Sequence, residues 1–487
     1  MASMFQLFLT LVTTIVETIL YSGVVYGWAS IHEVFVHEQY FKADNETAVG
    51  NLTTSDSDQL KNLNLVFTIS SSLTPITLFL IGLLLDRKGI WVTRTILLVA
   101  QAFGYTLIAL VPPNYSFVLF FTIPCLDIGG LGMLTVNSQI GNLFPNHRST
   151  VLTTLCGCFT TSAAVFLTYN YLYFNLAISV KSLFLSGALL SLPLHMKTFF
   201  LMPKNVVPKS LPKDYNYGYK ELPFFQKHRF RSTDSFSNET TVQDNINENS
   251  NIQSDDKKCF KECLFTKTTF VYISHFCLLQ FGCIYFLGTF NTWVKNRLPA
   301  ASSEEITFEV RMFNIFRCMA VIIGLLCGAV INKIHNFFCK GRTEVYIARK
   351  KAGAWSLILT SLVTSCMFAA SLINISYFQY VTYFLNAVTN SVLYGSMSSN
   401  IACCYPAKHF GKMYGLTYAV GGLSLLLQYP LTVATVNLPR EQHKYVNIFF
   451  LASSLLTVLL PCWILSNLRK NKESDLKNKT VVSFKLL

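Results

Sequence analysis

The sequence predicts an all-α membrane protein of twelve transmembrane helices, arranged as two pseudo-symmetric six-helix bundles. Three observations lead there. Of 487 residues, 52% are hydrophobic and only 13% charged, about half the charged share of an average soluble domain. Apolar stretches of about 20 residues, the length needed to cross a hydrocarbon core, recur along the chain. The first six of them are echoed, motif by motif and in order, by the last six.

The first set lies near residues 6–28, 63–85, 91–112, 116–138, 150–173 and 180–202, and the second near 269–293, 310–332, 353–374, 377–402, 413–435 and 445–466. The first span has neither a basic leader nor a small-residue cleavage site, so it reads as a retained helix. The polar run 235–256, "SFSNETTVQDNINENSNIQSDD", offers almost nothing apolar to bury and reads as disordered. The expected organisation is therefore an N-terminal bundle, 1–202, with a glycosylated outer loop, 32–62; a cytosolic, partly disordered linker, 203–268; a C-terminal bundle, 269–466; and a cytosolic tail, 467–487.

A formal charge of +14 raises nucleic acid as a partner, but the basic residues form no single patch and no nucleic-acid motif accompanies them. They report topology instead. With a cytosolic N-terminus, the short inner loops hold twelve basic residues, among them Arg87, Lys88, Arg94 and Arg148, against eight outside. Lys and Arg concentrate on the cytosolic side of membrane proteins, so both termini are expected inside. The glycosylation acceptors Asn45 ("NET") and Asn51 ("NLT") fall in a loop that this topology places outside. The fourteen cysteines lie mostly within spans and show no metal-ligand spacing, which suits packing. No phosphate loop or soluble catalytic domain is evident, so neither an enzyme nor a cofactor is expected.

The repeat carries the functional signal. "YSGVVYGW" at 21–28 answers "FLGTFNTW" at 286–293, "GLLLDRKG" at 82–89 answers "GAVINKIH" at 328–335, and "FPNHRST" at 144–150 answers "YPAKHFG" at 405–411. Two matched halves with loop motifs at one face suit a carrier better than a channel or a receptor. Within "GLLLDRKG", Gly82, Asp86, Arg87 and Gly89 sit where a span gives way to a tight turn. The stretch resembles the loop signature G-x-L-x-D-R-x-G of the major facilitator superfamily. That resemblance implies a gate, in which the Asp caps a neighbouring helix and the contact breaks once per cycle. An inner loop carrying Asp-Arg for topology alone is the blander reading.

"QIGNLFPNHRSTV" at 139–151, "LPKDYNYG" at 211–218 and "HFGKMYGL" at 409–416 resemble solute carrier family 43, a branch of the same superfamily. The resemblance runs from the first span to the twelfth. It implies facilitated, sodium-independent movement of purine nucleobases such as adenine, guanine and hypoxanthine across the plasma membrane; sibling members carry large neutral amino acids, which is the alternative.

Substrate residues should be polar and buried near the midplane between the halves, because polar groups in hydrocarbon are expensive. In span one, Thr10, Thr14, Glu17, Tyr21 and Trp28 follow one helical stripe, with Glu17 as an acid that has no evident partner. Gln280 and Asn291 in span seven are eleven residues apart, close to three turns. Span ten adds Asn386, Asn390 and Tyr394. Amides present a donor and an acceptor in one plane, which suits a purine edge, and aromatic faces stack on its ring. Helix-to-helix hydrogen bonding is the competing role for each amide. Asp127 and Arg317 lie deep in spans four and eight and are expected to pair across the halves. His195 and His275 read as structural, and a monomer is expected.

Overall fold

A computed structural model describes residues 4–42, 52–208, 211, 215–221, 259–298, 302–339, 345–375, 377–428, 430–431, 442 and 444–470. Asn45, Asn51, the polar run 235–256 and the tail beyond Lys470 lie outside the described residues. Helix α1, Met4–Glu17, passes through a π turn, Thr18–Ser22, and a 3-10 turn, Val24–Gly27, into α2, Trp28–His37. The following elements are α3 Leu52–Leu110, α4 Leu119–Asn137, α5 Arg148–Thr161, α6 Ala164–Leu176, α7 Val180–Leu190 and α8 Leu192–Leu201. After the linker come α9 Phe260–Leu264, α10 Lys267–Gly288, α11 Phe290–Arg297, α12 Ser303–Cys318, α13 Ala320–Cys339, α14 Val345–Leu372, α15 Phe378–Cys404, α16 Phe410–Leu425 and α17 Lys444–Leu456. Helix occupies both ends of the stretch expected to be the outer loop 32–62.

Among the described residues, nine segments are long and apolar enough to cross a membrane. One of them, Leu65–Leu110, contains two helices that meet at Gly89, whose φ of 78° and ψ of −173° are not helical. Glycine alone takes that conformation without strain. α15, with its amides and serines, and α16, only 16 residues long, fall outside the nine.

The helices are built inside out relative to those of a soluble protein. On α1, Phe5, Phe8, Val12 and Val16 are exposed, while Gln6, Thr10, Thr14 and Glu17 are buried. In hydrocarbon the apolar face needs no cover and every polar group needs a partner. The α1 hydroxyls find theirs one turn back: Thr10 donates to the Gln6 carbonyl at 2.7 Å and Thr14 to that of Thr10 at 2.6 Å. The C-terminal half does the same between helices, where His275 bonds Ser361 at 2.8 Å, Ser361 bonds Thr457 at 2.9 Å and Ser365 bonds Ser454 at 2.9 Å.

The two halves meet along α3–α16 and α5–α13, and glycines line both seams. A Cβ on Gly82 would strike the Gly411 carbonyl, one on Gly415 the Leu78 carbonyl, and one on Gly157 the Ala320 carbonyl. Small residues allow helices in a membrane to approach backbone to backbone. Apolar packing is distributed unevenly along these seams. One core joins both halves near Asp86, combining Leu78, Leu85, Val136 and Val151 with Tyr394, Met413 and Tyr414. Toward the opposite face each half has a core of its own, one around Trp28, Phe35 and Phe184, the other around Phe286, Phe290 and Tyr383.

The beginning of the linker is ordered against the first half. Ile90 donates its N–H to the Lys204 carbonyl at 2.8 Å, Asn142 donates to that of Val207 at 2.8 Å, and Gln6 donates to that of Tyr217 at 3.0 Å. Tyr217 is fully buried. Tyrosines at 215 and 217 give this stretch the apolar surface that the run after it lacks.

Candidate substrate site and gate

Asp86 stands at the end of the first α3 helix and reaches across to the other half. Its Oδ1 accepts from the Gly411 N–H at 3.1 Å and its Oδ2 from the Lys412 N–H at 3.0 Å. Those are orphan donors of the first turn of α16, where the helix dipole also favours an anion. Gly82, one turn earlier, lets the backbones close to this distance. Arg87 and Lys88 are exposed at the turn. In the second half, Asn332 donates to the Asn146 carbonyl at 2.8 Å. Each half thus binds the other through the end of a corresponding helix.

Glu17 is fully buried, but its surroundings differ from the expectation. Arg94 Nη2 donates to both carboxylate oxygens at 2.9 Å, Lys197 Nζ forms a second ion pair, and Asn137 approaches Oε1 at 3.5 Å. Lys197 also donates to Thr14 at 2.9 Å, and Arg94 to Asn137 and, at 3.1 Å, to Thr198. The acid without a partner is therefore the centre of a buried cluster inside the first half. Arg94, expected in an inner loop, is fully buried. A guanidinium at that depth needs a carboxylate, and Glu17 supplies it, both of its oxygens accepting from Nη2.

Tyr21 is also committed to the first half. Its hydroxyl donates to the Gly187 carbonyl at 2.9 Å and its ring packs edge-on against Tyr105 at 6.0 Å. The stripe drawn along span one breaks at the π turn, which changes the helical phase, so Trp28 stacks on Phe67 instead of continuing it. Gln280 lies against Gly421 inside the second half, 2% exposed, with Oε1 lacking a hydrogen bond. Asn291 falls on α11, beyond the interruption at Thr289, so it does not share a continuous helix with Gln280. Asn390 donates to the Asn386 carbonyl at 2.9 Å and to its side-chain oxygen at 3.1 Å, so these two amides partly satisfy each other.

Between the halves runs a chain of aromatic rings. Tyr26 packs on Phe159 at 5.2 Å, Phe159 on Tyr394 at 6.4 Å, and Tyr394 stacks on Tyr418 at 6.0 Å. Tyr26 and Phe159 belong to the first half; Tyr394 and Tyr418 belong to the second. Asp127 and Arg317 flank the start of this chain, and the ion pair expected of them is not formed. Asp127 Oδ2 accepts from Ser70 at 3.2 Å. Arg317 Nη1 donates to the Tyr26 carbonyl at 3.0 Å, and the guanidinium lies 5.8 Å from the Phe313 ring centre. Each charge has found a partner on a neighbouring element, and each keeps an unsatisfied atom, Asp127 Oδ1 and Arg317 Nε.

Tyr26 and Phe159 were not singled out from the sequence, although a signal exists. Gly23 and Gly27, four apart, bracket Tyr26, and a Cβ on either would strike the α5–α6 backbone at Phe159 or Ala163. Such spacing marks a helix pressed against its neighbour.

The model of the Major Facilitator Superfamily matches residues 7–424. Equilibrative nucleobase transporter 1 of Bos taurus is 27% identical over 463 residues, covering 93% of this chain and 94% of that protein. Large neutral amino acids transporter small subunit 3 of Homo sapiens is 21% identical, covering 93% and 92%. Among solved structures, the proton:xylose symporter XylE superposes with a TM-score of 0.60 at 13% identity, covering 93% of this chain and 95% of that one. A bacterial homologue of the iron transporter ferroportin in an outward-facing state gives 0.54 at 13%, covering 94% and 99%. These last two bear on the fold alone. With its matched half-interfaces and a family model spanning most of its length, the chain belongs to the Major Facilitator Superfamily and is a membrane transport protein, not an enzyme.

Proposed function

We propose that the chain is a facilitative, sodium-independent plasma-membrane carrier of purine nucleobases that works by alternating access. The observation that supports the substrate best is the near full-length similarity to Equilibrative nucleobase transporter 1, at 27% identity against 21% for the human amino acid transporter. The geometry agrees with a flat, uncharged substrate, because the rings of Tyr26, Phe159 and Tyr394 follow one another between the halves. Aromatic faces bind such rings through stacking.

In this reading, 1–202 and 269–466 are the two rocking bodies, 203–268 joins them, and both termini are cytosolic. The carrier is closed at the Asp86 face, where the halves share an apolar core and the carboxylate caps α16. Opening toward that face breaks the Asp86 bonds and separates the glycine seams; the site then meets the cytosol. Asn45 and Asn51 carry glycans outside, and a single chain suffices.

A second reading is favoured by one observation. Asp127 and Arg317 do not neutralise each other, and a free amino acid presents an ammonium and a carboxylate that would suit them. Uptake of labelled hypoxanthine and labelled leucine into cells expressing the chain separates the two. Hypoxanthine entry without sodium is the expected result; leucine entry alone would replace the purine reading with the amino acid one.

A further inference from the structure

Asp127 and Arg317 are the charged side chains beside the inter-half aromatic chain whose polar atoms are not all used. Asp127 is 1% exposed and Arg317 4%. Asp127 belongs to the first half, on α4, and Arg317 to the second, on α12. Asp127 accepts from Ser70, one turn along α3 from Phe67, whose ring packs on Tyr26 at 6.5 Å, and Arg317 donates to the Tyr26 carbonyl at 3.0 Å. Among the described residues, Asp127 Oδ1, the Thr74 hydroxyl beside it and Arg317 Nε complete no hydrogen bond. A buried charged group left partly unsatisfied is costly, and in a carrier the missing partner is most simply the cargo.

We propose that Asp127 and Arg317 grip two neighbouring edges of the cargo and make this carrier prefer 6-oxopurines, such as hypoxanthine and guanine, over adenine. The inference rests on the purine reading above. A guanidinium presents parallel N–H donors, and the O6 and N7 atoms of a 6-oxopurine are two adjacent acceptors that fit them. A carboxylate only accepts, and the other edge of a 6-oxopurine carries the N1–H donor, joined in guanine by the 2-amino group. Adenine reverses part of each edge. Its 6-amino group points a donor at the guanidinium, and its N1 lone pair meets the carboxylate. The rings of Tyr26 and Tyr394 would hold the base plane in either case, so stacking sets affinity while the two charges set discrimination.

The assignment also gives the pair a role in the cycle. Arg317 holds the Tyr26 carbonyl of the other half in the present arrangement. Cargo that engages Asp127 from one half and Arg317 from the other links the two bodies through itself, so only a correctly edged base joins both ends.

The test is competition in liposomes containing the full chain, with labelled hypoxanthine as tracer and unlabelled hypoxanthine, guanine, adenine and leucine as competitors, and labelled leucine run in parallel. Guanine should compete at least about tenfold more effectively than adenine, the scale of one well-formed bidentate base contact. Asp127→Asn should shift selectivity toward adenine, because an amide offers both a donor and an acceptor. Arg317→Lys keeps the charge and loses the fork, and should weaken 6-oxopurines more than adenine. Equal competition by adenine and guanine in the unaltered protein would overturn the proposal without any variant having to fold. So would parallel losses for all purines in both variants. Leucine entry with no purine entry or competition would overturn the purine reading itself, and this inference with it.

Discussion

Replacing Glu17 by Gln tests whether the buried cluster of the first half is structural. Glu17 carries one negative charge between two cations, Arg94 and Lys197, and all three side chains are within 6% of full burial. Glu17→Gln leaves two like charges facing each other with one amide oxygen to share. Breaking a buried ion pair by removing one partner costs about 3–5 kcal/mol, a large fraction of a typical stability of about 5–15 kcal/mol. Lys197→Met is the informative contrast. It leaves Arg94 and Glu17 as a neutral pair and puts an apolar chain of similar length against the helix. What it forfeits is the bond to Thr14 and the second ion pair with Glu17, bonds from a charged donor worth about 1.5–3 kcal/mol each, offset by no longer burying a second cation beside Arg94. The assay is thermal unfolding of the purified chain together with surface abundance. Glu17→Gln should lower both sharply and Lys197→Met only slightly. Equal damage from the two variants would refute the charge argument. A stable Glu17→Gln protein that has lost only transport would return Glu17 to the substrate site.

Asp86→Asn keeps the shape but loses the charge-assisted bonds to the first turn of α16; initial uptake rates should fall while surface abundance holds, and an unchanged rate would remove the gate role. Gly82→Val places a side chain against the Gly411 carbonyl, so the Asp86 face should no longer close and uptake should be lost in a protein that still reaches the membrane. At Gly89, Ala would have to adopt φ near 78° and would press its Cβ to 2.6 Å from the Lys204 carbonyl. A loss of more than about 1 kcal/mol is expected, read as a lowered unfolding temperature, and an Ala variant as stable as the parent would contradict the described turn.

The fold was legible because membrane burial writes itself as runs of apolar residues, and the Asp86 contact because a Gly, an Asp and a turn stand in one short stretch. Asp86 performs at α16 the capping that its motif implies. What linear pattern cannot supply is which helix stands beside which. Arg94 sits a few residues past a turn and counts as a loop cation until Glu17, 77 positions earlier, is seen to receive two of its bonds. Tyr21 and Trp28 were grouped with Glu17 on one stripe, but the π and 3-10 turns of 18–27 carry Trp28 off it and bring Tyr26 between the halves. For Asn386 and Asn390, four-residue spacing signified a shared face correctly and also allowed them to bond to each other. Asp127 and Arg317 were rightly singled out as buried charges. Their partners, Ser70 and a backbone carbonyl, are groups that no search for opposite charges would return.

The most direct test of the central claim is tracer exchange in liposomes containing only this chain. A carrier for purine nucleobases should take up hypoxanthine saturably without sodium, and preloading the vesicles with unlabelled hypoxanthine should accelerate entry, because the loaded site returns faster than the empty one. Uptake that rises linearly with concentration and ignores internal hypoxanthine would contradict alternating access.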